Sequence, residues 1–191
     1  MIDGIFLARH GETEWSLAGR HTGRSEIPLT ARGQTAARAL GARLRDVGLS
    51  RVWCSPRLRA RQTCELADLG LAVETESDLA EWDYGDFEGR RTDEIRREWP
   101  GWNVFHDGCP GGESPVQTSE RADRLIARVR ATEGKIVLFT HGHFSRVLGV
   151  RWVGLPVNEG RHLLLGAGAF CELGCEHGRA VEPAIVRWNV T

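Results

Sequence analysis

Two histidines in this sequence each follow an apolar segment directly, and each is followed by a glycine. Residues 6–10 read FLARH, and residues 135–142 read KIVLFTHG. If both apolar segments are buried parallel strands, His10 and His141 lie at strand carboxyl ends, where open α/β sheets bind ligands. The following glycine, Gly142 in the second case, allows a sharp turn and a close approach to a ligand. A single such histidine usually makes only local hydrogen bonds, so the repetition is what indicates a reactive site.

Three arginines follow the second predicted strand, in the stretch SPRLRARQT at 55–63. Ser55 and Pro56 predict a helix start, with serine as the cap and proline in the first turn. Arg57, Arg59 and Arg61 then lie in its first two turns, where the helix dipole already disfavours cations. Their position is explained if an anion is bound nearby, because helix N-termini and arginines both bind phosphate. The three cannot all point one way, so at least one is expected to be solvated.

Acidic residues stand at 81, 83, 86 and 88, within LAEWDYGDFEG. Such acids could simply pair with the arginines, or one of them could donate and accept protons in a reaction. They open a segment, 81–118, that is rich in glycine, proline, tryptophan and acids. A long insertion of this kind is usually a functional loop or lid. It could equally be a surface excursion with its own small aromatic core, and the two interpretations are compatible.

The elements that must position these residues alternate between strand and helix patterns. Strands are predicted at 4–8, 51–55, 71–75 and 135–140, with two late strands near 167–173 and 180–188. Helices are predicted from the Thr30 cap to Gly48, after Ser55, over 119–132 and from about Phe144. This alternation predicts a three-layer α/β/α sandwich around a mostly parallel sheet. We expect a single domain over 1–191, with a loop or lid insertion around 81–118.

The composition excludes several classes of protein. The net charge is -1 with a pI of about 6.7, which argues against a nucleic-acid surface or a polybasic membrane anchor. The five cysteines are odd in number and lack zinc-site spacing, so we expect free thiols in a reducing cytoplasm. Neither a signal peptide nor a run of about 18 apolar residues is visible. We therefore expect a cytoplasmic protein that does not cross a membrane.

Four motifs in order resemble the histidine phosphatase superfamily, also called phosphoglycerate mutase-like, over nearly the whole chain. They are RHGET at 9–13, HTGRSEIPLTARGQTAARALG at 21–41, SPRLRARQT at 55–63 and THG at 140–142. Within the family, HTG, EWDYGDFEG and DGCPGGES look most like the branch that includes sedoheptulose bisphosphatase-like enzymes. The resemblance implies a phosphoglycerate mutase-like fold and a phosphomonoesterase.

The resemblance also implies roles for individual residues. His10 matches the nucleophile, and Glu81 looks like the proton donor, with Asp83 as a near competitor. The groups that match those around the transferred phosphoryl are Arg9, Arg59 and His141. The further phosphate-binding positions that we expect are Ser16, Thr22, Gly23 and Gly142. Many members have asparagine in place of Ser16, but a hydroxyl can still donate to a phosphate oxygen.

These residue types suit phosphoryl transfer. A neutral imidazole at His10 can attack phosphorus in line and form a phosphohistidine. Fixed donors around the equatorial oxygens stabilise the developing charge, so neither a metal nor a cofactor is required. Glu81 would protonate the leaving oxygen and then accept a proton from the attacking water. Because a carboxyl must be protonated first, activity should favour acid pH unless the site itself keeps the carboxyl protonated.

Three other functions remain open. A phosphoglycerate mutase would use the same site, but its insertion is usually longer and richer in basic residues; here its cations before residue 121 are Arg90, Arg91, Arg96 and Arg97. A non-catalytic phosphate-binding or interaction module would not need the complete set of reactive groups. A metal site of His10, His141 and Glu81 is disfavoured because the nearby arginines would repel the metal.

The expected partner is a small phosphorylated substrate. The candidates, in order, are a sugar bisphosphate, a three-carbon phosphoacid, a nucleotide monophosphate and a phosphoprotein. Aromatic side chains of the insertion, with Arg90 and Arg91, could face a sugar phosphate, although Trp99 and Trp102 could equally be packing residues. A homodimer is possible, but the oligomeric state cannot be read from the sequence.

Overall fold

The computed structural model describes residues 2–176 and 182–191, and within them one sheet contains six strands. The strands are β1 (Ile2–Arg9), β2 (Leu49–Cys54), β3 (Val73–Thr75), β4 (Gly134–Thr140), β5 (Phe170–Cys175) and β6 (Pro183–Val190). Their order across the sheet is β3-β2-β4-β1-β5-β6. The first four strands run parallel, β5 is antiparallel to β1, and β6 is antiparallel to β5. The prediction of a mostly parallel sheet is confirmed.

Helices cover both faces of this sheet. They are α1 (Glu14–Leu17), α2 (Ala31–Leu44), α3 (Leu58–Ala67), α4 (Thr92–Glu98), α5 (Val104–Asp107), α6 (Pro115–Arg130) and α7 (Gly142–Trp152). Phe6 and Ala8 of β1 point to the face covered by α2 and α3, whereas Ile5 and Leu7 point to the face covered by α6 and α7. The alternation of side chains along each buried strand thus produces two cores, one on each side of the sheet. This is the predicted three-layer α/β/α sandwich.

The two histidine motifs lie side by side because their strands are neighbours. Strands β1 and β4 pair in parallel at the centre of the sheet, with Arg9 in register with Thr140. The backbone N–H of His10 donates to the carbonyl of Thr140 at 3.0 Å, which continues the pairing beyond β1. His10 and His141 therefore leave the same edge of the sheet at the same level.

The predicted ends of the helices are correct in some places and wrong in others. Thr30 caps α2 by accepting the N–H of Gly33, and Gly48 ends the helical segment with φ of 75°. The predicted helix start at 119 is wrong, because Ser114 and Gln117 form a capping box and α6 begins at Pro115. The late strands occupy Phe170–Cys175 and Pro183–Val190, and the predicted start of the second one at 180 lies outside the described residues.

Ser55 does not cap α3, contrary to the prediction. The helix begins at Leu58, with Arg57 in the N-cap position, and the N–H of Leu58 donates to the carboxylate of Glu26. A carboxylate from a distant loop thus caps the helix end. The Ser55 hydroxyl contacts His141 instead, at 2.8 Å from Nε2.

The insertion 81–118 contains more regular structure than its composition suggested. It carries a short 3-10 turn at Gly85–Phe87, the helices α4 and α5, and the first turn of α6. The aromatic side chains that it buries in the core on the α6 and α7 side are Trp82, Tyr84, Phe87, Trp102 and Phe105. Trp99 is 41% exposed and packs edge-on against Phe87. The aromatics of this segment therefore serve mainly as packing residues, but they join the main core and do not form the separate small core that the second interpretation expected.

Candidate active site

A cavity of about 240 Å³ opens at the carboxyl ends of β1 and β4. The residues predicted from the sequence that line it are Arg9, His10, Ser16, Thr22, Glu81 and Gly142. The remaining lining residues, none of which was predicted as a site residue, are Gly19, Arg20, His21, Tyr84, Thr92, His143, Arg146 and Leu165. Arg59 and His141 are fully buried directly behind His10, and Gly23 lies outside the cavity wall.

The imidazole of His10 is fixed in the tautomer that a nucleophile needs. Its Nδ1 lies 2.8 Å from the carbonyl oxygen of Gly11, and because a carbonyl only accepts, Nδ1 carries the hydrogen. The lone pair is therefore on Nε2, which accepts the Nε–H of Arg59 at 3.2 Å. Burial, and then the positive charges of Arg59 and Arg9, lower the pKa of His10 well below its ordinary 6.5. The ring stays neutral at neutral and mildly acid pH, so Nε2 is available to attack.

Arg9 reaches the cavity because residue 142 has no side chain. Its Nη1 donates to the carbonyl of Leu165, while its Nε is buried and has no hydrogen-bond partner within the described residues. A Cβ on Gly142 would lie 3.1 Å from the Arg9 Cζ, closer than most side chains tolerate. Burial lowers the pKa of Arg9, and the nearby Glu81 carboxylate raises it. Glycine at 142 thus lets a guanidinium lie against the first turn of α7.

Arg59 holds His10 and a neighbouring loop together. Its side chain is fully buried, and its Nη2 donates to the carbonyl of Thr22 at 2.7 Å, while Nη1 donates to that of Ser25 at 3.1 Å. Arg57 is half-buried beside Glu26. As the sequence suggested, the arginines of this motif do not point one way, and Arg61 is exposed.

His141 lies behind His10, with 5.2 Å between their ring centroids. Its Nε2 is 2.8 Å from the Ser55 hydroxyl, which also accepts the N–H of Arg57 at 3.3 Å. If the Ser55 hydroxyl donates to Nε2, the imidazole hydrogen is on Nδ1, an atom with no hydrogen-bond partner within the described residues. Burial, and then the charge of Arg59, lower the pKa of His141 well below 6.5. His141 is therefore neutral, and in this tautomer it has one unused N–H.

Glu81 is held by the backbone at the start of α7. Its carboxylate accepts the N–H groups of Trp82 at 2.9 Å, His143 at 3.0 Å and Phe144 at 2.8 Å. These three contacts fix the position of the carboxylate at the first turn of α7. Its competitor Asp83 is turned away from the cavity, because it binds Arg24 at 2.5 Å. The geometry favours Glu81 as the proton donor.

An ion pair between Arg121 and Glu113, neither of which was predicted as a site residue, fixes the segment that carries Glu81. Arg121 on α6 donates to the carbonyls of Asp78 and Ala80, both at 2.8 Å. It also binds the Glu113 carboxylate through two contacts of 2.8 and 2.7 Å, and that carboxylate accepts the N–H of Asp83 at 2.9 Å. In the sequence, Arg121 is one of several arginines on an amphipathic helix, so no local signal distinguishes it.

The remaining predicted phosphate contacts have different outcomes. Ser16 lines the cavity, but its hydroxyl also completes the capping box of α1, because it accepts the N–H of the N-cap residue Thr13 and donates to the Thr13 carbonyl, both at 2.9 Å. Thr22 lines the cavity and donates to the Arg20 carbonyl at 3.1 Å. Gly23 does not line the cavity, and its N–H donates to the Glu88 carboxylate, so its predicted phosphate contact stays a prediction.

The wall opposite this cluster is built from neutral rings. The Tyr84 hydroxyl lies 2.5 Å from Nδ1 of His143, and Nε2 of His21 lies 3.2 Å from the Thr92 hydroxyl. Burial raises the pKa of Tyr84 well above 10 and lowers that of His143 well below 6.5. His21 begins the motif at 21–41, and His143 directly follows the motif at 140–142. Their residue type was therefore visible in the sequence, but their position in the cavity wall was not.

Metal-binding clusters and membrane-spanning helices are both absent from the described residues. Within residues 2–176 and 182–191, no group of three or more His, Cys, Asp or Glu side chains is placed to hold a metal ion. In the same part of the chain, no helix is long and apolar enough to cross a membrane. All five cysteines are free thiols, as predicted.

Comparisons with known proteins identify the family. Residues 5–191 match the model of the histidine phosphatase superfamily, branch 1. An acid phosphatase of Mycobacterium tuberculosis is 45% identical over 91% of this chain and 87% of its own length. The sedoheptulose 1,7-bisphosphatase of Saccharomyces cerevisiae is 36% identical over 80% of this chain and 68% of its own. A probable phosphoglycerate mutase of Salmonella paratyphi B is 34% identical over 84% and 80%.

A solved structure shows the same fold. A functionally characterised open reading frame of Mycobacterium tuberculosis superimposes with a TM-score of 0.93 and 40% sequence identity, covering 99% of this chain and 98% of that one. The likeness therefore extends over the sheet, the helices on both its faces and the insertion.

Proposed function

Because the chain belongs to the histidine phosphatase superfamily, we propose that it hydrolyses a small phosphorylated metabolite through a phosphohistidine formed on His10. It is a phosphoric monoester hydrolase that needs no metal ion, and its relatives include phosphatases of small metabolites. The observation that carries the assignment to His10 is the neutral Nε2, oriented by the 2.8 Å contact of Nδ1 with Gly11 and flanked by Arg9 and Arg59.

In the first step, Nε2 of His10 attacks phosphorus and the bond from phosphorus to the leaving oxygen breaks. Glu81, protonated at this stage, gives its proton to that oxygen. The incoming phosphoryl takes the place of the Arg59 Nε–H on Nε2, and we infer that this N–H then donates to a phosphoryl oxygen. Arg9 supplies a second cation, and the unused Nδ1–H of His141 supplies a neutral donor.

In the second step, water attacks the phosphorus of the phosphohistidine. The Glu81 carboxylate accepts a proton from that water, the nitrogen–phosphorus bond breaks, and inorganic phosphate leaves. His10 returns as the neutral imidazole and Glu81 returns protonated. The three backbone N–H donors hold the Glu81 carboxylate in one place during both proton transfers.

The ion pairs of the arginines in the insertion support hydrolysis over mutase chemistry. A mutase needs cations to keep a bisphosphorylated primer in the site. The arginines of this segment are largely engaged: Arg90 binds Glu98 at 2.6 Å, and Arg91 binds Asp93 at 3.1 Å. We therefore expect phosphate release from 3-phosphoglycerate to be faster than its conversion to 2-phosphoglycerate, and the reverse result would favour the mutase.

We also propose a single domain over residues 1–191, since all described strands share one sheet. The pattern of free cysteines supports a reducing, cytoplasmic location. The small cavity supports a metabolite as substrate, and the balanced charge supports neither nucleic acid nor an acidic membrane surface as a partner.

Rapid-quench labelling tests the mechanism. With a ³²P-labelled substrate, the label should appear on the peptide containing residues 6–15 and should be labile in acid and stable in base. His10→Ala should abolish both labelling and turnover, whereas His141→Ala should lower turnover by about 10² to 10³, on the precedent of single oxyanion donors. Label on His141, or full activity in His10→Ala, would refute the assignment.

A further inference from the structure

Glu88 is an acid of the LAEWDYGDFEG motif that the proposed reaction does not use. It follows the 3-10 turn at Gly85–Phe87 and does not line the active-site cavity. Its carboxylate accepts the backbone N–H of Gly23 at 2.9 and 3.0 Å and that of Ser25 at 3.0 Å. Within the described residues no cationic side chain forms an ion pair with it, so two backbone amides hold its charge.

The loop that Glu88 holds also carries the partners of Arg59. Residues 22–25 belong to no helix or strand, so contacts with other segments fix their backbone. The carbonyls that accept the terminal N–H groups of Arg59 are those of Thr22 at 2.7 Å, Ser25 at 3.1 Å and Gly23 at 3.3 Å. The same short loop therefore lies between the carboxylate of Glu88 and the guanidinium of Arg59.

The loop is pressed closely against the segment that carries Glu88. A Cβ on Gly23 would lie 2.7 Å from the carbonyl oxygen of Trp82 and 2.8 Å from Oε2 of Glu88. A larger residue at position 23 would therefore move the loop away from the carboxylate. Glycine at this position lets the backbone N–H reach both carboxylate oxygens.

The orientation of Arg59 depends on this loop. Its side chain is fully buried, and within the described residues no carboxylate forms an ion pair with it. The loop carbonyls hold its terminal nitrogens, while its Nε–H donates to Nε2 of His10 at 3.2 Å. A shift of the loop would thus displace the N–H group that faces the nucleophile. Because a misplacement of about 1 Å can lower a rate by about 100-fold, the contact of the loop with Glu88 matters for the reaction.

We propose that Glu88 is a positioning residue of the reaction, which acts through loop 22–25 to orient Arg59 towards His10. The inference rests on the proposed phosphatase function and adds to it a residue that touches neither the substrate nor the reacting atoms. A carboxylate suits this role because both of its oxygens accept N–H groups. An amide has one oxygen, and its NH₂ group would face a backbone N–H, so glutamine cannot replace glutamate here.

Glu88→Gln tests the role because it keeps the size of the side chain. We expect kcat for 4-nitrophenyl phosphate to fall about 10-fold or more, since Arg59 is displaced. Asp86→Asn changes an exposed carboxylate of the same motif and should leave kcat within about 2-fold of the wild type. An unchanged kcat in Glu88→Gln would overturn the proposal.

A double-mutant cycle determines whether Glu88 acts through Arg59. Arg59→Lys removes the guanidinium that the loop carbonyls orient. Adding Glu88→Gln to this variant should therefore lower kcat by less than about 2-fold more, because the two changes affect one interaction. A further loss as large as that in the wild-type background would show that Glu88 acts on another group, and would refute the proposal.

Hydrogen exchange at the Arg59 Nε–H separates this proposal from the proposed function, because it needs no turnover. The loss of one NMR resonance in Arg59→Lys assigns the signal. In Glu88→Gln its exchange should be faster by about 10-fold or more, since losing a hydrogen bond to a charged group changes a local opening equilibrium by that factor. In Asp86→Asn the rate should match the wild type.

The backbone amide of Leu138, at the centre of the sheet, controls for a general loss of stability. Its exchange rate should be the same in Glu88→Gln and the wild type, and an equal acceleration at Leu138 and Arg59 would overturn the proposal. An unchanged rate at Arg59 would refute the positioning role and leave the phosphatase function intact. Faster exchange at Arg59 alone, in a protein that hydrolyses no phosphate ester, would support the positioning of Arg59 and refute the phosphatase function.

Discussion

Replacing His21 by phenylalanine should make the protein less sensitive to acid. His21 is 8% exposed, and its ring packs against Tyr84 at 4.7 Å and Trp102 at 5.3 Å. Burial in this aromatic surrounding lowers the pKa of His21 from 6.5 to about 4, an effect that the Glu88 carboxylate only partly offsets. Between those two values the unfolded chain binds a proton at this residue and the folded chain does not.

The sign and size of the effect follow from this difference. Because the unfolded state binds more protons, the free energy of unfolding falls as the pH drops from 6.5 towards 4 and recovers as the pH rises. Each pKa unit corresponds to about 1.4 kcal/mol, so at pH 5 the contribution of His21 is a loss of about 2 kcal/mol relative to pH 7. That is a large part of the usual total of about 5–15 kcal/mol.

The assay is urea unfolding at pH 7 and pH 5 in a phosphate-free buffer, since bound phosphate would stabilise the folded state. The wild type should lose about 2 kcal/mol more than His21→Phe between the two pH values. Loss of the contact with Thr92 lowers the stability of the variant at both pH values and cancels in this difference. His106→Phe, a change at an exposed histidine, should behave like the wild type. Equal losses in the wild type and His21→Phe would refute the reasoning.

Three further outcomes are expected. Gly142→Ala should lower kcat about 10-fold without lowering the unfolding temperature, because the new Cβ displaces Arg9 by a few tenths of an ångström while favouring the helix; unchanged kcat would contradict this account of residue 142. Glu81→Gln should slow substrates with poor leaving groups far more than an activated aryl phosphate, and finding that pattern in Asp83→Asn instead would move the proton donor to residue 83. The acid limb of the kcat/KM profile should lie well below pH 6.5, since the lowered pKa of His10 keeps the nucleophile unprotonated, and an inactivating titration near 6.5 would contradict this.

The sequence predicted well what local patterns control. Continuous apolar runs marked β1 and β4, and the His-Gly pairs at their ends indicated a common site before their contact was known. The parallel register that sets Arg9 opposite Thr140 then brings His10 and His141 together. Helix caps formed by residues close in sequence, such as Thr30, were equally visible.

What the sequence could not reveal depends on pairs that are far apart along the chain. Ser55 looked like a helix cap, but its hydroxyl binds His141, 86 residues away. The hydrogen bonds from Arg121 to the Glu81 segment, and the position of Arg146 in the cavity wall, likewise join distant segments. Such contacts follow from how the elements pack and leave no periodic trace in the sequence, so they were found only in the structure.

The carboxylate of Glu81 has two duties, because the backbone N–H groups of His143 and Phe144 that it accepts are the first-turn donors of α7. In the proposed reaction this carboxyl alternates between neutral and charged forms, so the strength of the helix cap alternates with it. The protonation state of the Glu81 carboxyl thus changes the hydrogen bonds of these two amide groups during each catalytic cycle. In an amide NMR spectrum, the chemical shifts of residues 143 and 144 should therefore report the protonation state of the proton donor, and no labelled substrate is needed.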